Sequence, residues 1–475
     1  MAFYEPTELR YWDKSKAWNG YTLFDAGRNT YLVDMEGQVV NTWPTGKSPF
    51  LLDTGHLIDR VGGPGEPARF QERDWDGNIV WECVENRRGY APHHDFKRIF
   101  NKKLNAPTTM YIANKSISHE QAIAAGCDPQ KGPYDNASID VIVERDMDGK
   151  IVWEWWFFDH VVQDIDPNKA NYIGKGKTLS DFPGRLSVNL PGRPMETDWL
   201  HCNGVDYNAD LDQVAINSVH GEFYIIDHGK TFIQGDSAGS IALAAGPAGE
   251  FLYRFGDPVR YGQGEPQSMS SQGVITTGHK QFGGSHNIQW IKPGLPGSGH
   301  LLVFNNGGSL FDGNPQSYIF EINQYLDADG RDTGNYVNPP GAGYYTWKPA
   351  NPRDSHKQPK QISNQVVWIY NSERSTAFFG YSASGCQRLP NGNTLICSST
   401  EGHLFEVTKE GEVVWEYINP VTREGNILEV IPDCNAMTNH VWRAYRYAPD
   451  HPALAGHKLI SRGNITGKKG FQIIR

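Results

Sequence analysis

The residues of this sequence that most suggest chemistry are three histidines at one recurring position. His94 opens HDFKRI, His201 opens HCNGVDY and His286 opens HNIQWI, while Ser384 opens the related SGCQRL. Imidazole near neutral pH acts as a nucleophile, as an acid–base group or as a metal ligand. Asn203, two residues beyond His201, faces the same side if the segment is extended, and can hydrogen-bond an imidazole or an anionic substrate. The following strand offers a second tier near its end: His220, Asn305 and Ser399. The His201–His220 and His286–Asn305 separations are equal, which supports their equivalence. His93 should face away from His94 and reads as a structural or supporting residue. His228, after an apolar strand, reads as part of a turn. Cys202 and Cys386 flank the histidine positions and are assigned no chemistry.

What must position these residues is a repeated strand unit. One pattern runs from Thr30 to Trp43, from Gln71 to Glu82, from Ile142 to Trp156 and from His403 to Tyr417. Each copy is a strand, an acidic-Gly turn (Glu36-Gly37, Asp76-Gly77, Asp148-Gly149, Glu410-Gly411) and a Val/Ile strand closing on Trp. Asp-Gly between β-rich runs signals a hairpin, because the turn requires positive φ. Weaker copies are Glu250–Pro258 and Gln365–Tyr370. A second pattern, clearest in Ser384–Ser399, recurs at Leu51–Ile58, His201–His220 and Ser285–Asn306. The two together make a four-stranded antiparallel unit, and about six units fit the chain. The expected fold is therefore all-β: a six-bladed β-propeller forming a single domain over residues 1–475, with segment 1–20 packing on or closing the ring. A β-sandwich would lack the recurring two-hairpin unit. Ser116–Tyr134, Gln163–Arg193, Gly235–Gly249 and Asn338–Pro359 read as inserted loops. In a propeller the innermost strands line a central channel, so equivalent positions on different blades converge.

Composition agrees. Across 475 residues there are 51 Gly, 14 Trp, 22 Tyr and 21 Phe, as many short strands and tight turns require. A net charge of -10 with scattered Lys and Arg argues against a nucleic-acid partner. The apolar runs are too short to span a membrane. Glu5, Glu8 and Asp13 stand where a secretory signal would need an apolar core, so a cytoplasmic location is expected, or a periplasmic or secreted one for a processed chain. Six cysteines without a CxxC pair are expected to be free thiols. No P-loop, GxGxxG, GxSxG or HExxH motif is present.

With these residues in view, the sequence resembles the bacterial arylsulfotransferase-like family of six-bladed propellers. The likeness rests on Lys16–Phe24, His93–Phe96, His201–Asn208, Tyr224–His228, His286–Gly307, the LPNGN turn of Ser384–Ser399, and Val441–Gly456 in that order. It implies sulfuryl transfer from an aryl sulfate to a phenol through a sulfurylated histidine, with no nucleotide donor and no cofactor. It assigns His286 as nucleophile, and His94, and His201 with Asn203, as groups that bind sulfuryl oxygens and assist the leaving phenolate. One departure stands out. The family places an arginine in the strand after the HxN segment, where this chain has Val219 and His220. The charge is then expected from His220 when protonated, or from Arg443 or Arg446, whose alternative is an ion pair between blades. Arg443, Arg446 and Asn305 are the expected substrate-binding residues.

The same departure opens a second reading. His94, His201, His220 and His286 form an all-nitrogen set suited to Zn, Cu, Ni or Fe, which would support hydrolysis or elimination. A third is a non-catalytic binding propeller. On the catalytic readings the partner is a small aromatic or anionic molecule; the oligomeric state is open.

Overall fold

The computed structural model describes residues 5–474 apart from 45, 63–65, 133, 136, 191–194, 196–197, 267, 270–274, 308–315, 325–343, 348–359, 373–377, 432–436 and 469–472. Each acidic-Gly turn joins the third and fourth strands of a blade. Its glycine has φ of 78° at Gly37, 88° at Gly77, 81° at Gly149 and 88° at Gly411, a region other residues enter at a cost. In three of these turns an aspartate accepts from the backbone N–H groups two and four residues on: Asp34, Asp74 and Asp146. That carboxylate makes the turn specific as well as permissible.

Six antiparallel sheets form a six-bladed β-propeller. Blade 1 combines Tyr21–Ala26, Asn29–Val33 and Val39–Pro44 with the C-terminal strand Ala444–Tyr447 as its innermost member. Blade 2 starts at Lys47–Leu51, blade 3 at Tyr90–Asn101, blade 4 at Cys202–Asn208, blade 5 at Ser285–Trp290 and blade 6 at Gly385–Arg388. The C-terminal strand thus closes the ring. The N-terminal strand Glu8–Trp12 instead extends blade 6 at its outer edge, with Ile473–Ile474 beyond it.

Two sets of hydrogen bonds tie each blade to the next. Near the axis, Asp95 accepts from Val205 N, Asp206 from Trp290 N, Asn287 from Cys386 N and Gln387 from Arg446 N. Leu51 N donates to Tyr447 Oη, and Ser48 Oγ to His94 O, which completes the circle. Further out, an indole N–H of the fourth strand donates into the turn after the third strand of the following blade. Trp43 reaches Asp74 O at 3.0 Å, Trp81 Met147 O at 2.8 Å, Trp153 Thr231 Oγ1 at 3.0 Å, Trp368 Lys409 O at 2.8 Å and Trp415 Met35 O at 3.1 Å. In blade 4, Tyr253 takes this place and donates to Gln365. The tryptophans that close each hairpin in the sequence are therefore connectors between blades.

Of the expected insertions, Ser116–Tyr134 carries a helix at His119–Ala125, and Gly235–Gly249 one at Ser237–Ala244 that packs on the outer strand of blade 3. Within Asn338–Pro359 only Tyr344–Trp347 is described, paired with Lys360–Ser363; Arg193 lies outside the described residues. Cys83, Cys127, Cys202, Cys386 and Cys397 are buried free thiols, and Cys434 lies outside the described residues. Among the described residues no helix is long and apolar enough to cross a membrane.

Candidate functional site

The inner strands share a backbone device at one end. Ser48, His94, His201, Asn287 and Ser384 all take positive φ, at 55°, 51°, 48°, 54° and 83°. Left-handed backbone at a non-glycine residue costs about 1 kcal/mol and clusters at functional sites. The kink interrupts pairing with the second strand, between Pro92 and Phe96 in blade 3, Cys202 and Gly204 in blade 4, and His286 and Gln289 in blade 5. His94 and His201 occupy the kinked position itself. His286 stands one residue before it, so its register differs by one from the alignment read in the sequence.

The three rings nevertheless meet. His94 and His201 lie 4.6 Å apart between ring centroids, and Trp442 lies 5.5 Å from His94 and 6.4 Å from His286. Burial, then the neighbouring His93, His201 and His286, holds His94 far below the ordinary imidazole range. Burial and Arg443 push His286 down to about 3 despite its bond to Asn306. Both rings are neutral at physiological pH.

Proton positions follow from the partners. Asn306 Nδ2 donates to Gly380 O at 2.7 Å and Ala383 O at 3.0 Å, which fixes its amide orientation. Its Oδ1 therefore accepts from His286 Nδ1, at 2.6 Å, and His286 carries its proton there. The bare Nε2 receives Ala383 N–H at 3.2 Å. His201 Nδ1 pairs with Asp198, whose other oxygen accepts from Asn114 at 3.2 Å. Burial raises the Asp198 carboxyl, but His201 outweighs it and leaves it well below the usual range, as suits an ion pair with an imidazolium. His93 bridges a third line: its Nε2 lies 3.1 Å from Asp140 Oδ1 and its Nδ1 2.7 Å from His94 Nδ1.

Arg443 comes from the segment that closes the ring. It is 2% exposed, donates Nη1 to Asp95 at 2.9 Å, and its Nε has no hydrogen-bond partner among the described residues. Burial opposes its charge, yet Asp95 and Tyr445 secure it above the ordinary arginine range. Trp442 Nε1 and Asn203 Nδ2 are likewise buried without hydrogen-bond partners among the described residues, while Asn203 Oδ1 accepts from Asn217 at 2.7 Å. Trp442 and Arg443 thus bring unspent donors beside the histidines.

Other expected residues lie elsewhere. Arg446 is paired with Glu406 and stacked 4.3 Å over Trp415, an ion pair between blades 6 and 1. Asn305 Oδ1 accepts from Gly283 N at 3.0 Å and braces a loop. His220 lies in the turn between the second and third strands of blade 4. The ladder partners are Cys202–Ser218 and Ser285–Asn305, so the equal separations reflect inner turns of different length. The four-histidine ligand set does not gather. Among the described residues the one group of three or more ligand atoms within 4.8 Å of one another is His93, Asp140 and Asp198.

Several participants are absent from the sequence reading: Asp198, Asp140, Asn306 and Trp442, together with Lys47 and Arg60 in the adjoining cavity. Asp198 stands three residues before His201, and Asn306 beside the expected Asn305. Asp140 and Arg60 sit in ordinary strands with no local signal. The cavity, about 450 Å³, is lined by His93, His94, Tyr90, Trp442, Lys47 and Arg60 among others.

Residues 120–325 match the arylsulfotransferase (ASST) family model. That matched stretch, less than half of the chain, is similar to the family; it holds His201, Asn203, His220 and His286, while His94 and Arg443 lie outside it. No curated protein matches the sequence. Solved structures similar to it include a protein of unknown function from Bacteroides caccae (10% identity, 90% of this chain and 99% of that one, TM-score 0.37). The Cps50 (Swd1) β-propeller domain of Myceliophteria thermophila follows, at 11% identity, 89% and 87% coverage and TM-score 0.35. The WD40 β-propeller domain of Doa1 has 9% identity, 93% and 96% coverage and TM-score 0.31.

Proposed function

We propose that this arylsulfotransferase-like propeller moves a sulfuryl group from an aryl sulfate to a phenol through His286. The observation that carries the reading is the fixed tautomer of His286: Asn306 holds the proton on Nδ1, so Nε2 is a neutral nucleophile. Nε2 attacks sulfur, the S–O bond to the aryl group breaks, and the phenolate leaves. His201, paired with Asp198, gives that phenolate its proton. The acceptor phenol then attacks the sulfur of the sulfohistidine while His201, neutral after its first transfer, takes its proton. The N–S bond breaks and His286 returns to its neutral form, which closes the cycle.

Charge on the sulfuryl oxygens falls to Arg443, Asn203 and Ala383 N–H. The Ala383 N–H faces Nε2 in the resting site and is released to an oxygen once Nε2 bonds sulfur. Arg443 on this reading supplies the guanidinium that the family carries in the strand where this chain has Val219 and His220. Incubation with p-nitrophenyl sulfate and phenol tests the proposal: p-nitrophenol release that requires His286 is expected. Release unaffected by His286→Ala would overturn it.

A further inference from the structure

The cavity beside the histidines carries charge that the transfer reaction does not use. Arg60 and Lys47 both line it, at the start of blade 2. Arg60 is 7% exposed; its Nη1 donates to Pro92 O at 3.2 Å, and its Nε is buried with no hydrogen-bond partner among the described residues. Its attraction to Asp95 is shared with Arg443, which already holds that carboxylate. Of the carboxylates on the cavity wall, Glu85 is engaged by Arg87, Arg145 and Tyr111, and Glu66 is exposed at the rim. Burial lowers Arg60 to about 10, and burial together with Arg60 lowers Lys47. Two cations therefore face one cavity with an unspent, desolvated guanidinium donor. Trp442 connects this cavity to the reacting centre, since it lines the cavity and also neighbours His286.

We propose that Arg60 and Lys47 form an anion subsite, so that the aromatic substrate resting on Trp442 carries a carboxylate on its ring. The proposal rests on the aryl-substrate reading of the site and specifies the substrate class. A buried guanidinium with a free N–H binds carboxylate through charge-assisted hydrogen bonds, which are about twice as strong as neutral ones. A cavity of this size takes a single small aromatic acid.

The test compares 4-hydroxybenzoate with its neutral counterpart 4-hydroxybenzamide by calorimetry, on the wild-type chain, Arg60→Met and Lys47→Met. The acid is expected to bind about tenfold more tightly in the wild type, and the preference to fall several-fold in each variant. Lys47 is exposed, so its replacement leaves the fold intact if Arg60→Met does not. Equal binding of acid and amide, or a preference that survives both substitutions, would overturn the proposal. A parallel assay uses both compounds as acceptors from p-nitrophenyl sulfate. Transfer without acid preference removes the subsite and keeps the reaction. Acid-selective binding without transfer removes the reaction and keeps the subsite.

Discussion

At the level of single residues, the site works by assigning protons. Asn306 accounts for the tautomer of His286, and Asp198 holds His201 Nδ1. Such partners typically contribute one to two orders of magnitude to activity without touching substrate. Asn306→Ala is expected to lower kcat for sulfuryl transfer about tenfold to a hundredfold with little change in KM. A KM effect alone would mean that Asn306 only shapes the pocket. Asp198→Asn should remove the acid that protonates the leaving phenolate. Its effect is expected to be large for donors with a poorly stabilised phenolate and small for p-nitrophenyl sulfate; equal losses on both donors would contradict that role. The histidines themselves were readable in the sequence because each opens an inner strand. Their partners were not: Asp140, Asp198 and Asn306 come from a third strand, a loop and the end of a second strand, and only the folded ring brings them together.

At the level of the elements, the sequence repeat maps directly onto blade construction. Asp-Gly signals marked the outer hairpins because positive φ leaves a compositional trace, and the tryptophans marked strand ends. That these indoles bind the next blade was hidden, since the acceptor lies in another repeat. Trp415→Phe deletes the indole bond to Met35 and replaces the indole under Arg446 with a smaller ring, across the junction of blades 6 and 1. It should cost about 1–3 kcal/mol of stability by denaturant titration. No measurable change would argue that the indole links are incidental to closure. Arg446 illustrates the limits of reading by position: VWRAYRY offers two arginines, and alternation cannot tell that one faces the histidines and the other a glutamate between blades. His220 and Asn305 share a spacing but not a place in the ladder, because equal spacing is not equal register when the intervening turns differ.

At the level of the whole molecule, buried imidazoles set a pH window for the fold. His286 near 3, and His160 and His440 near 4, are depressed below the unfolded value of 6.5, chiefly by burial. Their contribution is complete above pH 6.5 and is lost as pH falls towards those values. His228 is opposite. Burial lowers it, but Glu144 at 2.8 Å and Asp212 at 2.6 Å override that and raise it to about 9. Its contribution is complete below pH 6.5 and is lost as pH rises through 9. Thermal stability should therefore peak between these limbs. His228→Gln is expected to lower Tm at pH 6 and to flatten the decline between pH 6.5 and 9; an unchanged alkaline limb would refute the assignment. The closed ring also explains why the site draws on both ends of the chain: His94 and Arg443 are far apart in sequence, and the closing strand carries Trp442 and Arg443 to the histidines. The central claim is the covalent role of His286, and mass spectrometry of protein quenched during turnover of p-nitrophenyl sulfate tests it most directly. One added sulfuryl group on the peptide containing His286, discharged by phenol and absent from His286→Ala, is the expected result. Sulfuryl transfer by the wild-type chain with no such adduct would contradict the account.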